Sequence, residues 1–176
     1  MASDILEGTL KLTVNEKKTH IAHSDEGIKF LGVIIGSICS RIQEKKLNTL
    51  KAKVKRITKR NGGMNLAKML KELNPVLRGF VNYFKIANID SILRRLSGWI
   101  RRRLRAVQLR LWKKAAKLHR RLKQRGYKPP FKFIKMNSWG NAGSPLSHYA
   151  MPNSWFKEMG LYSIDKVNTG VLAPYY

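Results

Sequence analysis

Residues 100–125 read IRRRLRAVQLRLWKKAAKLHRRLKQR, and nearly half of them are Lys or Arg, without one Asp or Glu. The cations leave room for an apolar residue at almost every helical turn, which predicts an amphipathic helix packed on a core. We expect one long basic helix that begins near Asp90 or Ser91 and ends before Gly126. Its apolar stripe comprises Ile100, Leu104, Val107, Leu111, Leu118 and Leu122.

The positive charge of the chain is concentrated around this helix. The 176 residues include 36 Lys and Arg against 10 Asp and Glu, a formal net charge of +26. Residues 41–125 hold 27 of the cations and only three carboxylates (Glu44, Glu72 and Asp90), so this segment carries +24. Such a surplus indicates a phosphate-bearing partner. Because 43% of the residues are hydrophobic, we expect a folded chain and not a disordered basic tail.

The hydrophobic periodicity changes near Gln43. Before it, Leu10, Leu12 and Val14 alternate as in a strand, and residues 28–35 (IKFLGVII) form a second apolar run. Together these runs predict a β-hairpin or two adjacent strands. After Gln43 the spacing becomes helical, with a basic helix as far as Arg60.

Turn and cap signals divide the helical part. The glycines at 62 and 63 end the first helix, and Asn65 predicts the N-cap of a short second one. Pro75 after Asn74 predicts the start of a further helix. Residues 131–163 are rich in Gly, Pro, Ser, Asn and aromatics, which predicts loops and short helices folded onto the helical body. The predicted fold is mainly α, with a small N-terminal β-hairpin and an irregular C-terminal tail.

Catalytic and metal-binding patterns are missing from the sequence. The acidic residues are scattered, with no DD or DxD pair to hold two metal ions, and Cys39 is the single cysteine. The histidines have no metal-ligand spacing, and a GSPLSHY segment at 143–149 falls short of a catalytic triad. We therefore predict no catalytic residue, metal or cofactor.

Targeting signals are also missing. No stretch approaches the roughly 18 apolar residues of a membrane span, and MASDILEGTL at the start lacks the features of a signal peptide. We expect a soluble, cytoplasmic bacterial protein with no membrane or small-molecule partner, and an organellar origin stays open.

Several segments, in the same order, resemble group II intron reverse transcriptases. LKLTVNEKKTHI (10–21) and IKFLGVII (28–35) look like the end of their palm domain. LNPVLRGFVNYFKIAN (73–88) is similar to the opening of their maturase-specific region, and ILRRLSGWIRRRLR (92–105) to the basic helix that follows. WF at 155–156 with MGLYSI at 159–164 resembles the closing segment of that region.

This resemblance implies a domain organisation. Residues 1–40 correspond to a palm remnant with short strands, 41–74 to thumb-like basic helices, and 75–176 to a maturase-specific RNA-binding region. Full-length relatives carry a YADD-type motif upstream of this palm segment, and the sequence has no such motif. We therefore expect a fragment of an RNA-directed DNA polymerase family that is not an enzyme by itself.

The resemblance further implies that these helices hold structured group II intron RNA and help it to splice. The planar guanidinium of Arg can form two hydrogen bonds to a phosphate, and the ammonium of Lys supplies a positive charge. Aromatic rings can stack on unpaired bases. We expect Arg102 and Arg105 to point away from the apolar stripe. The candidate RNA-binding residues are Arg78, Asn82, Tyr83, Lys85, Arg94, Arg95, Arg101, Arg102, Arg103, Arg105, Arg110, Lys113 and Lys114.

Three other functions stay open. A basic amphipathic helix can lie on an anionic membrane, and charge alone is also compatible with a general nucleic-acid-binding protein of the duplex-DNA or ribosomal type. The chain could equally be the C-terminal piece of a split or truncated reverse transcriptase that needs a palm in trans.

Overall fold

The computed structural model of the chain describes residues 5–9, 11, 13, 23–37 and 39–170. A short sheet precedes four longer helices, and short helices and turns follow them, so the predicted mainly α fold is confirmed. The strands are β1 (Ile28–Phe30), β2 (Val33–Ile35) and β3 (Ser40–Ile42). The helices are α1 (Glu44–Ile57), α2 (Leu66–Phe84), α3 (Asp90–Trp112), α4 (Ala115–Gln124), α5 (Pro145–Ala150) and α6 (Asn153–Glu158). A π-helical turn covers Ile5–Thr9, and 3₁₀ turns cover Ser24–Glu26, Gly140–Gly143 and Ile164–Lys166.

The sheet is antiparallel in the order β1-β2-β3, with Phe30 opposite Val33 and Val33 opposite Ile42. The apolar run at 28–35 is therefore a hairpin in itself, because Leu31 and Gly32 both have positive φ and close a two-residue turn. Strand β3 lies in a segment for which no strand was predicted. The strand predicted at Leu10, Leu12 and Val14 lies outside the described residues.

Helix α2 begins where the sequence predicts, because the Lys68 amide donates to the side-chain oxygen of Asn65 at 2.8 Å. The predicted break at Pro75 is wrong, since α2 runs unbroken through this residue. Proline removes one backbone hydrogen bond from a helix. However, Leu73, Leu77 and Val81 are almost completely buried on one stripe. The stripe stays on the core only if the helix continues.

The predicted single helix at 90–125 is also wrong, because α3 ends at Trp112 and α4 starts at Ala115. Between them Lys113 has φ 60 and ψ −54, and the Lys114 amide donates to the Trp112 carbonyl at 2.6 Å. This is a γ-turn with positive φ, a rare and strained conformation. It redirects α4 so that its apolar stripe, Leu118 and Leu122, is completely buried.

The C-terminal tail packs on the helices, as predicted. The turns at 140–143 and 164–166 lie against α3, and α5 lies against α4. Asn74 on α2 donates to the Gly160 carbonyl at 2.7 Å and accepts from the Tyr162 amide at 2.9 Å. One hydrophobic core therefore joins the sheet, the helices and the tail.

Candidate nucleic-acid interface

The predicted RNA-binding residues do not form one patch. Most of them are exposed, but Arg101 and Arg103 are half-buried and Arg105 is buried. These three lie on α3 where it meets the tail or the end of α1. The structure thus separates cations that hold the fold together from cations that face solvent.

Arg105 lies inside the protein, with 1% of its surface exposed. Its Nε donates to the Met151 carbonyl at 2.9 Å, and its Nη2 donates to Oδ1 of Asn153 at 2.8 Å. Burial, and then the nearby Arg101, lower its pKa to about 10. Arg105 was expected to point away from the apolar stripe and to be available to RNA, but it is buried because the tail covers a second side of α3.

Arg101 and Arg103 are also held by the protein. Nη1 of Arg101 lies 3.2 Å from Oδ2 of Asp165. Nε of Arg103 donates to Oγ1 of Thr58 at 2.7 Å, which connects α3 to the end of α1. Burial, and then repulsion from Arg60, lower the pKa of Arg103. In these positions both side chains stabilise packing.

A groove of about 500 Å³ runs between α1 and α2. Its α1 side carries Lys46 and Lys53, and its α2 side carries Phe80 and Tyr83. The ring of Tyr83 is half exposed, and its hydroxyl donates to the Leu31 carbonyl at 2.9 Å. The β1–β2 turn therefore fixes this aromatic ring at the end of a basic groove.

A smaller groove of about 260 Å³ lies on the other side of α1, against α3. Lys51 of α1 and Arg95 of α3 line it, together with Leu47, Ile92 and Leu96. Among the described residues that line either groove, none is Asp or Glu. Helix α1 is thus a basic ridge between two recesses.

The exposed cations of α1 were missing from the predicted site, although the sequence contained their signal. They occupy every side of the helix except the stripe formed by Leu50, Val54 and Ile57. On an amphipathic helix, cations outside the buried stripe typically face solvent. The residues concerned are Lys45, Lys46, Lys51, Lys53, Lys55 and Arg56, all of them exposed.

The other predicted residues are exposed but lie elsewhere. The Arg78 guanidinium stacks over the Tyr162 ring at 5.1 Å, on the side of α2 that meets the tail. Arg110 and Lys113 line a separate cleft at the junction of α3 and α4. Asn82, Lys85, Arg94, Arg102 and Lys114 are exposed.

Two further observations concern metals and membranes. Across the part of the chain that the structure describes, no group of three or more His, Cys, Asp or Glu could hold a metal ion. No helix within those residues combines the length and the apolar character needed to cross a bilayer.

Comparison with known protein families finds a match to the helical region. No curated protein matches the chain. The family model described as "Group II intron, maturase-specific domain" matches residues 47–126. The match contains most of α1 and all of α2, α3 and α4, and hence Lys51, Lys53, Tyr83 and Arg95 of the two grooves. Residues 47–126 of this chain are therefore similar to the maturase-specific domains of group II intron proteins.

Proposed function

We propose that the chain is an RNA-binding maturase-type module of a group II intron-encoded protein, which binds structured intron RNA and assists its splicing. The family match supports the link to group II introns. The observation that carries RNA binding is the α1–α2 groove, which Lys46, Lys53 and Tyr83 line and whose described lining residues include no Asp or Glu.

The groove combines exposed cations with an exposed aromatic ring, two features that RNA-binding surfaces commonly use. Lys46 and Lys53 are exposed cations that can neutralise phosphates and release their counterions. The ring of Tyr83 is 52% exposed, so one of its faces can stack on an unpaired base. Specific recognition of RNA commonly depends on such splayed bases.

Burial of the apolar residues of α1 favours RNA over a membrane surface. An interfacial helix inserts its apolar face among lipid tails. In α1 this face consists of Leu50, Val54 and Ile57, which are at most 9% exposed because they pack on the protein core. The cations remain available, but the apolar residues that a bilayer would bind are not.

Filter binding with a structured group II intron RNA at several salt concentrations tests the proposal. Replacing Lys46 and Lys53 together by Gln should weaken binding and reduce the log–log salt slope by about 0.7 to 0.9 for each lost phosphate contact. Lys157→Gln with Lys166→Gln is the matched control, because both lysines are exposed and lie in the tail. If the two double variants give equal salt slopes, the groove is not part of the RNA-binding site.

Splicing is measured separately. A precursor RNA that contains a group II intron is incubated with the protein at a Mg²⁺ concentration too low for efficient unassisted splicing. The intact chain should increase the spliced fraction, and the Lys46/Lys53 variant should increase it less. RNA binding without any gain in splicing would limit the function to binding.

A second candidate function is favoured by exposed apolar side chains on the hairpin and at the end of α2. Phe30, Leu31 and Ile86 are 59%, 66% and 51% exposed. These residues suit a chain that is completed by a reverse transcriptase palm in trans. Co-expression with a YADD-bearing palm chain tests this candidate: a stable complex that extends a primer supports it, and separate elution of the two chains contradicts it.

A further inference from the structure

A basic cleft of about 520 Å³ lies at the junction of α3 and α4. One wall consists of Arg110, Lys113 and Ala115, and the opposite wall is the segment 133–137. Arg110, Lys113 and Lys135 supply three exposed cations, and no Asp or Glu is among the described residues that line the cleft. Unlike the grooves beside α1, this cleft faces the tail.

The segment 133–137 presents alternate side chains to solvent. Ile134 and Met136 are buried, whereas Phe133, Lys135 and Asn137 are exposed. Because the two apolar residues anchor the segment, the three others are held outward. Phe133 is 86% exposed, a high value for a large aromatic side chain.

Hydrogen bonds from neighbouring loops hold this wall in place. Nη1 of Arg60 donates to the Asn137 carbonyl at 2.6 Å, and Nδ2 of Asn141 donates to the Lys135 carbonyl at 3.1 Å. Arg60 in turn stacks on Trp139 at 4.3 Å. The exposed Phe133 and Lys135 therefore extend from a braced backbone.

The opposite wall contains the strained γ-turn at Lys113. A non-glycine residue with positive φ persists only where its surroundings enforce it, and such residues cluster at functional sites. Here the turn places Lys113 beside Arg110 and brings the start of α4 to the cleft through Ala115. The positive end of the α4 dipole adds to the attraction for an anion.

We propose that this cleft binds a single unpaired nucleotide of the RNA, with its base stacked on Phe133 and its phosphate held by Arg110, Lys113 and Lys135. This inference rests on the proposed function and adds a second point of contact to it. A free phosphate would use the cations but not the aromatic ring. A nucleotide uses both, and the size of the cleft exceeds what a phosphate alone requires.

The test compares two RNA hairpins, one with a single bulged 2-aminopurine nucleotide and one that is fully paired. Phe133→Ala should lower the affinity for the bulged hairpin by about 5- to 150-fold, the range for one base stacked on an aromatic ring. It should also remove the quenching of 2-aminopurine fluorescence on binding. Phe133→Tyr should retain the affinity for the bulged hairpin and the fluorescence quenching. The Phe133→Tyr and Phe133→Ala variants should bind the paired hairpin with equal affinity.

Tyr149→Ala is the matched control, because Tyr149 is an exposed aromatic residue outside the cleft lining. It should bind both hairpins like the intact chain. If Phe133→Ala keeps the preference for the bulge, or the intact chain shows none, this inference is overturned while RNA binding stands. If the intact chain binds neither these hairpins nor the intron RNA, the proposed function falls as well.

Discussion

Arg105 stacks on Phe156 inside the protein, with its guanidinium carbon 5.2 Å from the ring centroid and both side chains buried. Together with the hydrogen bonds to Met151 and Asn153, this contact connects α3 to the C-terminal tail. One arginine of the strongly basic helix α3 is thus a core residue. Its neighbour Arg102, three residues earlier, is exposed.

Replacing Arg105 by Met should lower the free energy of unfolding by about 1 to 3 kcal/mol, because the buried Met151 carbonyl loses a charged donor. Urea denaturation measures the change. Arg102→Met is the control and should shift stability by no more than about 0.5 kcal/mol. A similar stability of the two variants would contradict the structural role of Arg105.

The stability of the protein should fall as the pH decreases from 7.5 to 5, in part because of His148. Partial desolvation, and then the charges of Arg105 and Arg101, lower the pKa of His148 below its usual 6.5, although the residue is exposed at the surface. Near pH 6 the unfolded chain therefore binds more protons than the folded one, which favours unfolding. His148→Gln should make the unfolding free energy less dependent on pH in this window, and an unchanged dependence would exclude the contribution of His148.

Asn74→Ala should loosen the tail. The substitution removes the hydrogen bonds to the Gly160 carbonyl and from the Tyr162 amide, and two such bonds together contribute about 1 to 3 kcal/mol. Limited proteolysis should then cut near residues 160–162 faster than in the intact chain. Asn48→Ala, at an exposed position on α1, should leave the cleavage rate unchanged.

Tyr83→Ala should reduce the preference for RNA with unpaired bases over plain duplex, because the stacking surface is lost and the cations remain. Tyr83→Phe removes only the hydroxyl that donates to Leu31, so it should keep most of the preference. Competition filter binding with the two RNA forms gives the ratio. Equal ratios for Tyr83→Ala and the intact chain would exclude this residue from base recognition.

Features that depend on neighbouring residues in the sequence were predicted well. The Asn65 cap involves an amide only three residues away, so it depends on local sequence alone. The change from strand to helix near Gln43 was equally visible, since it depends on local periodicity alone.

Features that depend on distant residues were not predicted. Arg105 is surrounded by other arginines in the sequence, and what distinguishes it is contact with Met151 and Asn153, more than 45 residues downstream. The turn at Lys113 has no glycine or proline to signal it, and α4 packs on α5, which comes later in the chain. The basic clefts likewise form only when separate elements meet. The division into segments 1–40, 41–74 and 75–176 stays a prediction.

Pro75 affects the order in which the backbone hydrogen bonds of α2 break. Since proline has no amide hydrogen, the carbonyl of Lys71 receives no backbone hydrogen bond from that position, and the ladder of the helix is interrupted although its axis continues. The turns before and after the proline can then fray separately, with hydrogen-exchange rates that differ on its two sides. Fraying of the N-terminal part would release Asn74, and with it the tail, before Tyr83 leaves its place beside the β1–β2 turn.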